Sequence, residues 1–331
     1  MSKNKKRIKS GKGNIQEQNK QISMEHKITH FLYCPWTGLG LYGGFRGNRW
    51  LRNRIKIFKQ FVIPSLQNQT SKEFILWCSW RYKERSNPYV QELIKYLDNI
   101  KEFKTVHTFS GVCFWDDKYS DEEARSRLLE SLRSSTGNLI DTIGDSEYVY
   151  MTIQPSDDCY ASGVVKGIQS VFKETDVQAM GFRQGYVINY PTMKVAEYNP
   201  TTIPPFFTIK FPREVFIDPL KHAEYTGPYK SHEYIADKLK FGSIYKREFM
   251  VGTHSENIST VFNHPFKGRE LEGEERKEVL SRFGMGNTPP LKIKTSIRKA
   301  ILRKLPHKIQ RKLRYIFGER IWQRIYEFLR N

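Results

Sequence analysis

The sequence is short of several things. No apolar run approaches the roughly 18–20 residues needed to cross a bilayer; stretches such as Phe31-Leu32-Tyr33-Cys34-Pro35-Trp36 are strand-sized, and the mean hydropathy is −0.61. Cysteine is scarce: Cys34, Cys78, Cys113 and Cys159 are widely spaced in 331 residues, with no CxxC and no Cys/His cluster. Neither a zinc site nor a disulfide framework is expected, and the cysteines read as small hydrophobes in a reducing compartment. No internal repeat is visible. The Lys-rich first residues have no apolar stretch, so they do not read as a secretory signal. A soluble, cytoplasmic chain is the expectation.

Aromatic residues, by contrast, are plentiful. Phe 21, Tyr 18 and Trp 6 make up 14% of the chain, and content of that kind goes into packing rather than disorder. The net charge of +20 suggests a nucleic-acid footprint until its distribution is considered. Residues 1–29 carry eight Lys/Arg against two Glu, and residues 291–331 carry thirteen against two, leaving the body between them at only +3. Three segments follow: a disordered basic arm over 1–29, a globular domain over 30–290 and a basic tail over 291–331.

Strand candidates at His30–Trp36, Phe74–Trp80, Thr105–Phe109 and Tyr148–Ile153 alternate with helical patterns at Trp50–Phe61, Tyr89–Tyr96, Glu122–Leu132 and Ala161–Phe172. Pro64 ends the first helix or allows one short further turn, and Asp121 is placed to cap the third. This β-α order predicts a mainly parallel α/β sheet. Met180–Asn189 and Lys194–Tyr198 read as a hairpin, and Phe206–Lys210 as one more strand.

Several clusters can carry chemistry. Gly38-Leu39-Gly40-Leu41-Tyr42-Gly43 matches GxGxxG, but the second strand ends in Cys78-Ser79-Trp80-Arg81, without the acid a dinucleotide fold uses on its ribose. The glycines then mark a loop where the backbone approaches something closely, or a flexible lid. Ser156-Asp157-Asp158 follows the fourth strand, where open α/β sheets bind ligands; the acids either hold Mg²⁺ or Mn²⁺ or cap the helix from Ala161. His254, in Gly252-Thr253-His254-Ser255-Glu256-Asn257, is a ligand, a proton carrier or a structural imidazole. Glu233, near a helix start, is a cap or a general base.

In this order the pieces resemble nucleotide-sugar glycosyltransferases of the GT-A fold. Pro64-Ser65-Leu66, Gln69-Thr70 and Phe74 match the turn that leads into the second strand of their nucleotide-binding sheet. More narrowly, Trp50, Arg54 and Phe58, then Ser156-Asp157-Asp158, then His254-x-x-Asn257 resemble the rhamnosyltransferase family over residues 30–265. Two positions depart: Pro155 stands where the family has its first Asp, and Ser79-Trp80 where many relatives have an Asp for the base.

The resemblance implies a GT-A-like, mainly parallel α/β sheet flanked by helices, with a basic C-terminal helical extension. It implies a glycosyltransferase moving a sugar, rhamnose by the family's name, from a nucleotide-sugar donor to a glycan or lipid-linked acceptor. Asp157, Asp158 and His254 would hold a divalent cation, Mn²⁺ or Mg²⁺, against the donor diphosphate. Arg46 or Arg49 would add a phosphate contact, Trp36 and Trp80 would stack on the base, and Ser79 and Ser156 would line the donor site. Glu233, or failing it Asp237, would deprotonate the acceptor hydroxyl. The alternative is a catalytically degenerate, membrane-associated sugar-binding or scaffold protein of the same fold.

The tail places Ile293, Ile297, Ile301, Leu305, Ile309, Leu313, Phe317, Ile321, Ile325 and Leu329 at every fourth position among Lys and Arg. A basic amphipathic pattern with Trp322 and Phe328 fits in-plane anchoring on an anionic membrane surface, with Pro306 opening a second helix. Packing of these helices on the body is the competing reading. Nucleic acid is not an expected partner.

Overall fold

In the first strand, alternate side chains go to opposite faces of a sheet, and each face is buried. Phe31 and Tyr33 enter one apolar cluster, while Leu32, Cys34 and Trp36 enter another. Both faces are therefore covered, the condition under which parallel strands are found. The computed structural model describes residues 26–39, 47–110, 120–226, 235–254, 257 and 261–292.

The chain runs β1 (Ile28–Pro35), α1 (Asn48–Ile57), α2 (Ile63–Gln67), β2 (Ile75–Trp80), α3 (Pro88–Asp98), β3 (Lys104–Phe109), α4 (Asp121–Gly137), α5 (Ile140–Ile143) and β4 (Tyr148–Ile153). It continues through β5 (Cys159–Tyr160), α6 (Val164–Glu174), β6 (Ala179–Phe182), β7 (Gly185–Asn189), β8 (Lys194–Tyr198), β9 (Phe207–Pro212), α7 (Arg213–Ile217) and α8 (Pro219–Thr226). Last come α9 (Ile235–Lys238), β10 (Phe241–Ile244), β11 (Phe249–Thr253), β12 (Lys267–Leu271) and α10 (Gly273–Arg282).

The larger sheet has the order β10-β6-β9-β4-β1-β2-β3, with β9 antiparallel to both its neighbours and all other pairs parallel. The expected α/β class, a mainly parallel sheet flanked by helices, is the one observed. A second sheet, β12-β8-β7-β11-β5, was not anticipated. It arises because the segment Met180–Asn189, read as one strand, is two. The chain breaks at Arg183-Gln184, leaving β6 in the large sheet while β7 starts the small one.

The helix after β1 takes the second of the two courses expected at Pro64, one short further turn ending at Gln67. A π-turn over Phe58–Val62 joins α1 to α2, and Pro64 sits in the first turn of α2, where its missing N–H is tolerated. Helix α4 is capped by Ser120, not Asp121: Glu123 N–H donates to Ser120 Oγ at 3.2 Å, and Glu123 reaches back to Ser120 N at 3.0 Å, a capping box.

Among the described residues no helix is long and apolar enough to cross a membrane. Cys34, Cys78 and Cys159 are buried free thiols, while Cys113 lies outside the described residues.

Candidate functional site

The strand order reverses between β1 and β4, and open α/β sheets bind ligands beyond the carboxyl ends of strands at such a point. There the chain leaves β4, passes Pro155-Ser156-Asp157-Asp158 and enters β5, which pairs antiparallel with β11 through Cys159 and Met250. That register brings the two acids against Gly252 and the end of β11, so His254 and Asn257 follow at once. The turn is thus fixed by pairing across nearly a hundred residues of sequence.

Asp157 is the hub. Its Oδ2 is ion-paired with Nη1 of Arg54 from α1, lies 3.1 Å from His254 Nε2, and accepts from Asn257 Nδ2 at 3.4 Å. Its main-chain oxygen accepts from Tyr190 Oη at 2.8 Å. Burial opposes ionisation of this carboxyl, but Arg54 and His254 overcome that effect and hold its pKa down at about 2. Asp158 is the reverse case. Its Oδ1 accepts from Gly252 N–H at 2.8 Å, yet burial and the neighbouring Asp157 charge push its pKa well above the usual carboxylate range.

The surroundings hold this turn in place. Asn257 donates to the Gly252 carbonyl at 2.7 Å and accepts from the His254 N–H, which ties the segment after β11 into a loop. The Tyr190 ring stacks on Phe61 of the π-turn, with centroids 3.8 Å apart. The helix that presents Arg54 therefore also backs the opposite side of the turn.

Of the residues expected at a metal, Asp157 and His254 come together, with Asp158 beside them. In this arrangement they fit a divalent cation poorly. His254 Nε2 and Arg54 converge on the same carboxylate oxygen, and Asp158 Oδ1 is taken up by the Gly252 N–H. A second cation would sit against the buried Arg54 guanidinium, a like-charge contact at low dielectric. Among the described residues no group of three His, Cys, Asp or Glu is arranged to hold a metal ion. Nor do the acids cap the following helix: α6 starts after Gly163 with no side-chain cap.

The other expected residues are dispersed. Trp36 and Trp80 stack on each other at 4.9 Å and are 4% and 0% exposed, so neither offers a face to a base. Ser79 is buried as the anchor of the loop after β1: its carbonyl accepts from Trp36, Thr37 and Gly38 N–H, and its Oγ from Leu39 N–H. Gly38 is required there, since a Cβ would stand 2.2 Å from Ser79 Oγ. Ser156 is buried in the acidic turn, and Arg49 lies half-buried in the first turn of α1.

Asp237 is exposed on α9, which leads into the amino end of β10. Because β10 runs in the direction of β4, that end is opposite the Asp157 turn, and Asp237 is not brought to the site. Glu233, Arg46 and the basic tail from Ile293 lie outside the described residues.

Three contributors are assigned no chemistry from the sequence. Arg54 has its ion-pairing role, Tyr190 braces the turn, and Glu84 closes the ends of β1 and β2. Glu84 is 3% exposed, accepting from Thr37 Oγ1 at 3.0 Å and from Arg81 Nε at 3.1 Å. For Arg54 a signal existed, its place four residues after Trp50 within the resemblance; for Tyr190 and Glu84 none did.

No protein-family model matches the chain, and no curated protein matches it. Solved structures give distant likenesses. S. aureus TarS 1–349 in complex with UDP-GlcNAc is 13% identical over 77% of this chain and 71% of that one, with a TM-score of 0.38. Longer S. aureus TarS is 12% identical over 88% of this chain and 48% of that one, at 0.37. Mouse xyloside xylosyltransferase 1, apo form, is 10% identical over 66% and 85%, at 0.33. The chain spans 60% of the length of TarS 1–349 in the structure without a named ligand.

Proposed function

We propose that this protein transfers a sugar from a nucleotide-sugar donor to a hydroxyl of a glycan or lipid-linked acceptor. The observation that carries the reading is the meeting of Arg54, Asp157, His254 and Asn257 at the carboxyl end of β4. Three stretches far apart in sequence supply these side chains, and all three belong to the motifs that resemble the rhamnosyltransferase family. Rhamnose is the donor sugar that this resemblance supports.

The site's own residues suit donor binding and orientation. Asp157 holds the Arg54 guanidinium in place, and His254 and Asn257 fix the carboxylate. The base that takes the acceptor proton is assigned to Glu233, since Asp237 stands at the other end of the sheet. The basic tail keeps the enzyme on an anionic membrane surface, where a lipid-linked acceptor would be found. The chain is held against α1 and the π-turn up to the start of that tail: Lys56 Nζ donates to the Lys292 carbonyl at 2.6 Å and Gln60 Nε2 to the Pro289 carbonyl at 2.7 Å.

A ligand that binds only the folded state raises its melting temperature. Thermal shifts with UDP-, GDP-, CDP- and dTDP-sugars test the reading. At least one should stabilise the wild-type protein and fail to stabilise Asp157→Asn. A folded protein that responds to none of them contradicts it.

A further inference from the structure

We propose that the inner face of α1 cradles the donor's diphosphate, with the Arg54 guanidinium supplying the positive charge that a divalent cation was expected to bring. This deepens the glycosyl-transfer reading and rests on it.

Trp50, Asn53 and Arg54 stand at i, i+3 and i+4, so they share one face of α1. Each encloses an N–H donor that has no partner: Trp50 Nε1, Asn53 Nδ2 and Arg54 Nε. Trp50 and Arg54 are only 7% and 5% exposed. Buried donors are nearly always paired in folded proteins, so three on one helix face call for an acceptor that arrives from outside. All three are donors and one belongs to a cation. Their complement is a group rich in acceptor oxygens and negative charge.

The helix end agrees with this. α1 has ten residues, begins after Gly47 at φ 88°, and has no side-chain cap on its first N–H groups. Uncapped N–H groups and the positive end of the helix dipole favour an anion. This end lies beside the start of α3, where Asn87 Nδ2 donates to Asn48 Oδ1 at 3.1 Å.

Asp157 determines why the charge comes from Arg54. It pairs with Nη1 and leaves Nε without a partner, while the Arg54 guanidinium lies 5.6 Å over the Trp50 ring. His254 and Asn257 occupy the same carboxylate oxygen. The arginine thus brings to Asp157 the positive charge that a divalent cation would supply there.

Isothermal titration of the full chain with UDP, GDP, CDP and dTDP, in EDTA and again in Mn²⁺, tests the proposal. The expected result is that at least one nucleoside diphosphate binds in EDTA, with an affinity within about twofold of that in Mn²⁺. Trp50→Phe keeps the ring and removes one donor, and Asn53→Ala removes another; each should weaken binding roughly tenfold, the loss of one hydrogen bond to a charged group. Neither should change affinity for the matching nucleoside. Binding that requires Mn²⁺ overturns the cradle and leaves glycosyl transfer standing, as does unchanged diphosphate affinity in both variants. No binding in either buffer by folded protein removes both.

Discussion

Gly252 lies so close to Asp157 that no side chain fits between them. A Cβ at position 252 would stand 2.1 Å from the Asp157 carbonyl oxygen and 2.3 Å from Tyr190 Cε2. This contact locks the acidic turn after β4 to β11, and so sets where His254 and Asn257 begin.

Gly252→Ala should therefore force β5 and β11 apart. We expect a loss of about 1–3 kcal/mol, typical of an overpacked interior, together with loss of nucleotide binding. Gly167→Ala is the control: that glycine sits within α6 with open space at its Cβ, and alanine there should stabilise by up to about 1 kcal/mol. Urea denaturation of both variants decides. Equal effects would contradict the packing argument.

Arg54 and Asp157 should be strongly coupled. Removing one partner of a buried pair strands the other charge, at a cost of about 3–5 kcal/mol. Arg54→Met and Asp157→Asn should each be strongly destabilising, whereas the double variant should recover much of the combined loss. A double-mutant cycle on denaturation free energies measures this. Additive losses would show that the pair is not the hub.

His30 should make the fold acid-sensitive. It is buried, with Nε2 2.8 Å from Thr152 Oγ1 and Nδ1 3.3 Å from Gln169 Nε2, and burial lowers its pKa from 6.5 to about 3. The unfolded chain takes up a proton below pH 6.5 that the native state refuses until about pH 3, so the stability is present above 6.5 and lost as pH falls through that window. His222, lowered by burial to about 4, acts in the same direction. Urea midpoints measured from pH 7 to 4 should fall less steeply in His30→Gln than in wild type. Parallel slopes would contradict the assignment.

The tail makes a prediction of its own. Flotation with vesicles of anionic lipid should bring the full chain to the top of the gradient, and removal of residues 293–331 should leave it at the bottom. High salt should weaken the association. Flotation that survives truncation would place the membrane contact elsewhere.

Much of the fold was legible because strand and helix periods were clear. β1 to β4 read as apolar runs punctuated by Pro and Gly, and the helices between them as one-sided patterns. The second sheet was not legible. The polar pair Arg183-Gln184 inside Met180–Asn189 was the one mark of the change of sheet and does not by itself say that the strands part, and β12, Lys-Gly-Arg-Glu-Leu, offers only Leu271 as a large apolar residue.

At the site, the resemblance located Asp157, His254 and Arg54, but it could not reveal that Arg54 and His254 meet on one oxygen of Asp157. The role given to Trp36 and Trp80 could have been questioned from the sequence. They share parity with Cys34 and Cys78 on neighbouring strands, so they face the same buried layer as α1.

The most direct test is turnover. Wild-type protein, Asp157→Asn, Glu233→Gln and Asp237→Asn would each be incubated with the nucleotide sugar that gives the largest thermal shift and with glycan acceptors, and release of nucleoside diphosphate measured. The account predicts release by wild type and by Asp237→Asn, and a loss of about a hundredfold or more in Glu233→Gln, the scale of general-base catalysis. Asp157→Asn should be inactive. Donor binding without release from any variant, wild type included, would contradict a transferase and leave a sugar-binding protein in its place.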